Sequence, residues 1–105
     1  MPDIAIEIDK DKLRDFCRRW KVTEFALFGS ATRPEEFRDD SDVDVLVSFA
    51  PNPGWSLFDH VRMQDELREI FKRDVDLLTR PSVERSLNRF RRESILSSAV
   101  QLDVA

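Results

Sequence analysis

The sequence predicts a small α/β (α+β) fold, a mixed β-sheet of three to four strands packed against helices. Three observations carry this. An amphipathic helical stripe stands near the start, short apolar runs of strand character recur at 22–28, 43–49 and 74–78, and a second helical stripe separates the last two runs. Elements mixed in this order pack as a sheet with helices laid on it. The 105 residues make one ordinary domain, 1–105, with no linker, repeat or low-complexity segment.

Taken in order, Ile4 to Ile8 alternates apolar and polar residues, the pattern of a short strand or extended arm. Asp9 is placed to cap a helix whose apolar positions are Leu13, Phe16, Cys17 and Trp20, at i, i+3, i+4 and i+7. Val22 to Phe28 reads as a strand ending at Gly29-Ser30. The polar run Ala31 to Ser41, with Pro34 inside it, reads as a helical turn passing into a loop. Val43 to Phe49 is the next strand. Alternation puts Val43, Val45 and Val47 on one face and Asp42, Asp44, Leu46 and Ser48 on the other.

Ala50-Pro51-Asn52-Pro53-Gly54 breaks the chain. Ser56 caps the following helix, with Asp59 three residues on as a loose capping box. Leu57, Phe58, Val61, Met63, Leu67, Ile70 and Phe71 are expected to form its buried face. Asp74 to Leu78 is a third core strand. Pro81-Ser82 opens a last helical region with Val83, Leu87 and Phe90 as apolar positions, and the tail carries Ile95, Leu96, Val100 and Leu102.

Composition narrows the function. Lys and Arg number 17 against 21 Asp and Glu, a net charge of −4. Binding to nucleic acid without sequence preference depends on neutralising phosphates, so strong nucleic-acid binding is not expected. A single nucleotide is still admissible, because bridging cations can hold its phosphates. The lone Cys17 allows no intrachain disulfide and suits a reducing compartment. No apolar run approaches the ~18 residues of a membrane span, and the start of the chain lacks a signal-peptide pattern. The expectation is a soluble, cytoplasmic protein without membrane partners.

Three features carry chemistry. Gly29-Ser30 follows an apolar strand, where glycine permits a tight turn and backbone N–H groups with the Ser30 hydroxyl can meet an anion. Asp42-Val43-Asp44 puts two carboxylates on one face at the start of a strand, an arrangement that is costly without a cation between them. Mg²⁺ suits a few carboxylates combined with substrate phosphates. Asp76 stands between Val75 and Leu77, and a charge in a buried strand needs a partner. Its other reading is an edge position facing water. Beside Asp42 and Asp44 it would complete a three-carboxylate metal site able to hold two ions.

The combination resembles the nucleotidyltransferase superfamily, whose motif is Gly-Ser, a spacer, Asp-x-Asp in a strand, and a third acidic residue in a later strand. Three segments carry the resemblance: Phe25 to Arg33, Ser41 to Val47, and Asp74 to Leu78. The short form looks like the minimal nucleotidyltransferases, the antitoxin partners of helical HEPN toxins, which are RNases. The resemblance implies the minimal nucleotidyltransferase fold and transfer of AMP from ATP to a tyrosine of the toxin, which silences it. It implies Asp42, Asp44 and Asp76 as catalytic metal ligands for two Mg²⁺ ions, with Asp76 as base. It implies Gly29 and Ser30 at the triphosphate and Arg33 at phosphate or partner. Two departures stand out: Thr32-Arg33-Pro34 replaces the family's Ala-Arg-Gly, and the spacer before Asp42 is one residue longer than usual. Both fall in a loop, where insertions are tolerated.

The same residues admit rival readings. Asp40, Asp42 and Asp44 alternate as in a calcium loop, but Val45 and Pro51 stand where an EF-hand needs Gly and Glu. A sugar-nucleotide enzyme needs a longer chain, and antibiotic-modifying nucleotidyltransferases need an added substrate domain. A non-catalytic antitoxin that neutralises its partner by contact is the alternative from another class, supported by Arg85, Arg89, Arg91 and Arg92. Phe28 and Phe49 are core candidates that could instead line a base pocket. His60 has no assigned role. Nucleobase, acceptor residue and stoichiometry are not legible.

Overall fold

The computed structural model describes residues 8–29, 42–51 and 54–102. Helix α1 spans Lys10–Trp20, and the side chain of Asp9 caps it by accepting from the Lys12 N–H at 3.2 Å. Its stripe buries Leu13, Phe16 and Cys17. Trp20, at the rim, is half-buried and donates through Nε1 to Glu66 at 2.9 Å. Lys21 ends the helix in the left-handed region at φ 59°.

Strand β1 (Val22–Phe28) runs antiparallel to β2 (Val43–Phe49). Their register shifts between Val22 and Glu24, a bulge that resets the alternation. Phe25 and Leu27 thereby join Val22 in the core under α1, while Ala26 and Phe28 turn to the opposite face. Helix α2 (Leu57–Phe71) then crosses over, and β3 (Val75–Thr79) lies parallel to β2. Parallel neighbours require such a crossover. The expected capping box is present: the Ser56 hydroxyl accepts from the Asp59 N–H at 3.3 Å, and the Asp59 carboxylate accepts from the Ser56 N–H at 2.9 Å.

The last helical region is divided. Helix α3 (Arg80–Glu84) and helix α4 (Arg89–Ser98) are separate, with Asn88 capping α4 by accepting from the Arg91 N–H at 3.0 Å. The tail returns as β4 (Val100–Leu102), antiparallel to β1, so the sheet order is β3-β2-β1-β4. The fourth described strand is therefore in the tail. The arm expected at Ile4 to Ile8 falls, but for Ile8, outside the described residues.

Helices α1 and α2 cover one face of the sheet through Phe16, Val45, Leu67 and Leu77, among others. Helices α3 and α4 cover part of the other through Val83 and Ile95 against Ala26, Phe28 and Leu46. Two expectations of burial are corrected. On α2 only Met63, Leu67 and Phe71 are buried; Leu57 and Phe58 are more than 80% exposed, and Val61 is exposed. At 3.6 residues per turn the sheet-facing row continues backwards from Met63 to His60 and Ser56, so Leu57, Phe58 and Val61 point away. Of Val83, Leu87 and Phe90 only Val83 is buried, because Leu87 sits in the break between α3 and α4 and Phe90 in the outward first turn of α4. Among the described residues, no helix is long and apolar enough to cross a membrane.

Candidate active site

The candidate site is built from a repeated local pattern. Val43-Asp44-Val45-Leu46 and Val75-Asp76-Leu77-Leu78 have the same order of apolar and acidic residues. The parallel register sets them level: Val43 pairs with Val75, Asp44 with Asp76, Val45 with Leu77 and Leu46 with Leu78. Val43, Val45, Val75 and Leu77 enter the core under α1 and α2. Alternation sends Asp44 and Asp76 to the opposite face, side by side on strands roughly 4.8 Å apart.

Several contacts hold this register. The Val43 N–H donates to the Asp74 carbonyl at 2.9 Å, one step before the two aspartates. On the outer side of β3, the Leu77 N–H donates to Gln64 Oε1 of α2 at 3.3 Å. Arg68 of α2 reaches Asp74 at 2.8 Å. This pair is exposed and contributes little stability, but it ties the start of β3 to the helix that delivers it.

Asp76 is exposed: β3 is an edge strand, and among the described residues α3 and α4 do not cover this end of the face. Of the readings open for Asp76, the edge position facing water is the one found, and its partner in the register is Asp44. Asp44 is half-buried, and Asp42 is exposed just outside the strand. Gly29 meets the same place from β1, since Phe28 pairs with Asp44 and Gly29 turns the chain at φ +70°. A Cβ at Gly29 would collide with Asp44 Oδ2 and stand 3.3 Å from its Cγ. Glycine is needed here both for its backbone angle and for the space its missing side chain leaves to the carboxylate. Ser30 and Arg33 lie outside the described residues.

Among the described residues, no three Asp, Glu, His or Cys side chains gather closely enough to hold a metal ion alone. Mg²⁺ does not require such a cage: one or two carboxylates suffice when water and phosphate oxygens fill the remaining positions. Two level carboxylates fit that ion together with a polyphosphate, and Gly29 leaves one of them, Asp44, the room it occupies. The other candidates resolve as packing. Phe28 is buried against Leu46, and Phe49 packs against the larger core. Cys17 is buried, which pushes its thiol up to about 12 and leaves it protonated.

The described residues thus form a four-stranded sheet with helices on both faces, with Asp44 and Asp76 level beside the Gly29 turn. The chain belongs to the nucleotidyltransferase domain family, whose sequence profile matches residues 10–102. It is an enzyme of the nucleotidyltransferase class. Its fold is that of the minimal nucleotidyltransferases: a solved structure described under that name superposes with TM-score 0.66 and 32% identity, over 89% of this chain and 88% of the other. A protein provisionally named protein adenylyltransferase MJ0435, of Methanocaldococcus jannaschii, is 36% identical over 89% of this chain and 92% of its own length. Protein adenylyltransferase MntA of Thermococcus cleftensis is 36% identical over 70% of this chain and 69% of its own. The fold is also shared with a toxin–antitoxin complex crystallised with AMP-PNP, at TM-score 0.66 and 22% identity over 90% of this chain and 72% of that one.

Proposed function

We propose that this chain is a protein adenylyltransferase that moves AMP from ATP to a hydroxyl of a partner toxin and so acts as its antitoxin. The observation that carries the reading is the level pairing of Asp44 with Asp76 on an open sheet face, with Gly29 closing against Asp44. The names of the relatives support the acceptor class, and the toxin–antitoxin complex with AMP-PNP supports the nucleotide and the kind of partner.

In this reading Asp42, Asp44 and Asp76 hold Mg²⁺, two ions when the triphosphate is present. The bound metal supplies charge neutralisation at the phosphates and lowers the pKa of the attacking hydroxyl. Asp76, the exposed member, takes the proton of that hydroxyl. The hydroxyl oxygen bonds to the α-phosphorus, the bond from that phosphorus to the bridging oxygen breaks, and pyrophosphate leaves. Gly29, Ser30 and Arg33 are assigned to the phosphates from their place in the motif. The acceptor is a tyrosine on a HEPN-type RNase, and the pair works in the cytoplasm.

A second reading, contact without catalysis, is favoured by the exposed Leu87 and Phe90 beside Arg85, Arg89 and Arg91. Transfer of label from α-labelled ATP with Mg²⁺ to the product of the neighbouring gene separates the two. Labelling that vanishes in Asp42→Ala/Asp44→Ala is expected. Absence of labelling with all four triphosphates, while the variant still neutralises the neighbour, would leave only contact.

A further inference from the structure

Asp76 sits on the edge strand, with Asp44 of β2 and then Gly29 at the end of β1 on its inner side. Along β3 itself, Leu78 lies two residues further on the same face of the sheet, about 7 Å away by strand geometry. It opens onto a cleft of about 330 Å³ between β3, α3 and α4. The floor of the cleft is apolar, made of Leu78 with Val83 of α3 and Ile95 of α4. The rim carries Ser82, Arg91 and Arg92. Arg92 is fixed across the break between the helices by donating through Nη1 to the Ser86 carbonyl at 2.9 Å. Arg91 is exposed and has no carboxylate partner among the described residues, whereas Arg89 pairs with Glu93 at 3.1 Å.

We propose that this cleft docks the acceptor protein: it takes an apolar side chain that lies close to the modified hydroxyl, and its arginine rim pairs with carboxylates of the same segment. The proposal rests on the functional reading above and adds where the acceptor is held and by what chemistry. Position selects this occupant. In an in-line displacement the entering oxygen and the leaving pyrophosphate stand on opposite sides of the phosphorus. The motif assigns the phosphates to the Gly29 side, and Asp76 is the base, so the hydroxyl enters over β3. The segment that carries the hydroxyl then has to cross the surface beside Asp76. Beyond β3 the described sheet ends, and further along its face the surface is this cleft. The make-up of the cleft fits a protein rather than a free phosphate. An apolar anchor seated in a pocket, ringed by polar groups, is how protein interfaces gain much of their affinity, and arginine is enriched there. An exposed guanidinium without a carboxylate of its own chain is free to bind one from a partner in bidentate fashion.

The test is steady-state label transfer from α-labelled ATP with Mg²⁺ to the product of the neighbouring gene, over a range of acceptor concentrations. The variants are Arg91→Glu, at an exposed position, and Ser82→Phe, which fills the cleft; circular dichroism verifies their fold. Calorimetric titration with AMP-PNP and Mg²⁺ reads the nucleotide site separately. The KM for the acceptor is expected to rise about tenfold or more in each variant. The kcat at saturating acceptor and the AMP-PNP affinity stay within about twofold of wild type, as for an interaction that serves acceptor binding alone. Added salt narrows the gap between wild type and Arg91→Glu, because it screens an exposed ion pair. An acceptor KM unchanged in both variants overturns the docking cleft and leaves the functional reading intact. Loss of AMP-PNP affinity in step with transfer in both variants overturns it too, since the cleft would then serve the nucleotide. A wild-type chain that labels nothing overturns the functional reading and the cleft with it.

Discussion

Replacing Gly29 by alanine separates backbone strain from damage to the site. Gly29 sits at φ +70°, where an L side chain is strained, and that conformation costs an L residue roughly 1–2 kcal/mol. At ~4–8 °C per kcal/mol for a domain of this size, Gly29→Ala should lower Tm by about 4–16 °C. The new Cβ also strikes Asp44 Oδ2, so the carboxylate must swing away from its place opposite Asp76. A displacement near 1 Å at a catalytic group costs on the order of 10²-fold in rate. Gly54 provides the control, since its φ is +72° and a Cβ there meets nothing within 4 Å. The two alanine variants are therefore predicted to lose similar stability by thermal denaturation, while only Gly29→Ala loses label transfer from ATP. If Gly29→Ala transferred label as fast as Gly54→Ala, the contact between Gly29 and Asp44 would have no part in catalysis.

Ser56→Ala removes the N-cap of α2 and is expected to cost about 1 kcal/mol in urea denaturation. Transfer should persist, because the cap is remote from the carboxylates. Cys17 should react with a thiol reagent only on unfolding, since its thiol is pushed up to about 12 by burial. A folded pKa above the unfolded one means that this contribution to stability is whole below pH 9 and falls as pH rises toward 12. Wild-type stability should thus drop more steeply between pH 9 and 10.5 than that of Cys17→Ala, by about 1.4 kcal/mol per pH unit at most; parallel curves would contradict the buried neutral thiol.

The strands that carry the site were legible because their signals are local. Val43, Val45 and Val47 recur at every second position, and the i, i+2 spacing of Asp42 and Asp44 translates directly into a shared face. The level pairing of Asp76 with Asp44 depends on register, yet the matching order Val-Asp-apolar-Leu in both strands was a signal available for it. For Asp76 the sequence left burial with a partner and an edge position facing water both open, since which strand lies at an edge is set by chain topology. The same limit explains Leu57, Phe58, Leu87 and Phe90: apolar residues mark a helix, but the neighbouring element decides which are covered. The return of Val100–Leu102 as a sheet edge was hidden because three residues carry too little periodicity to separate strand from tail.

The most direct test of the central claim, that Asp44 and Asp76 jointly hold the nucleotide's metal, is Mn²⁺ binding followed by electron paramagnetic resonance with AMP-PNP present. The account predicts Mn²⁺ bound in the ternary complex by the wild type and by Asp74→Asn, whose aspartate pairs with Arg68 instead, and its loss in both Asp44→Asn and Asp76→Asn. Wild-type Mn²⁺ binding in Asp44→Asn and Asp76→Asn alike would contradict it.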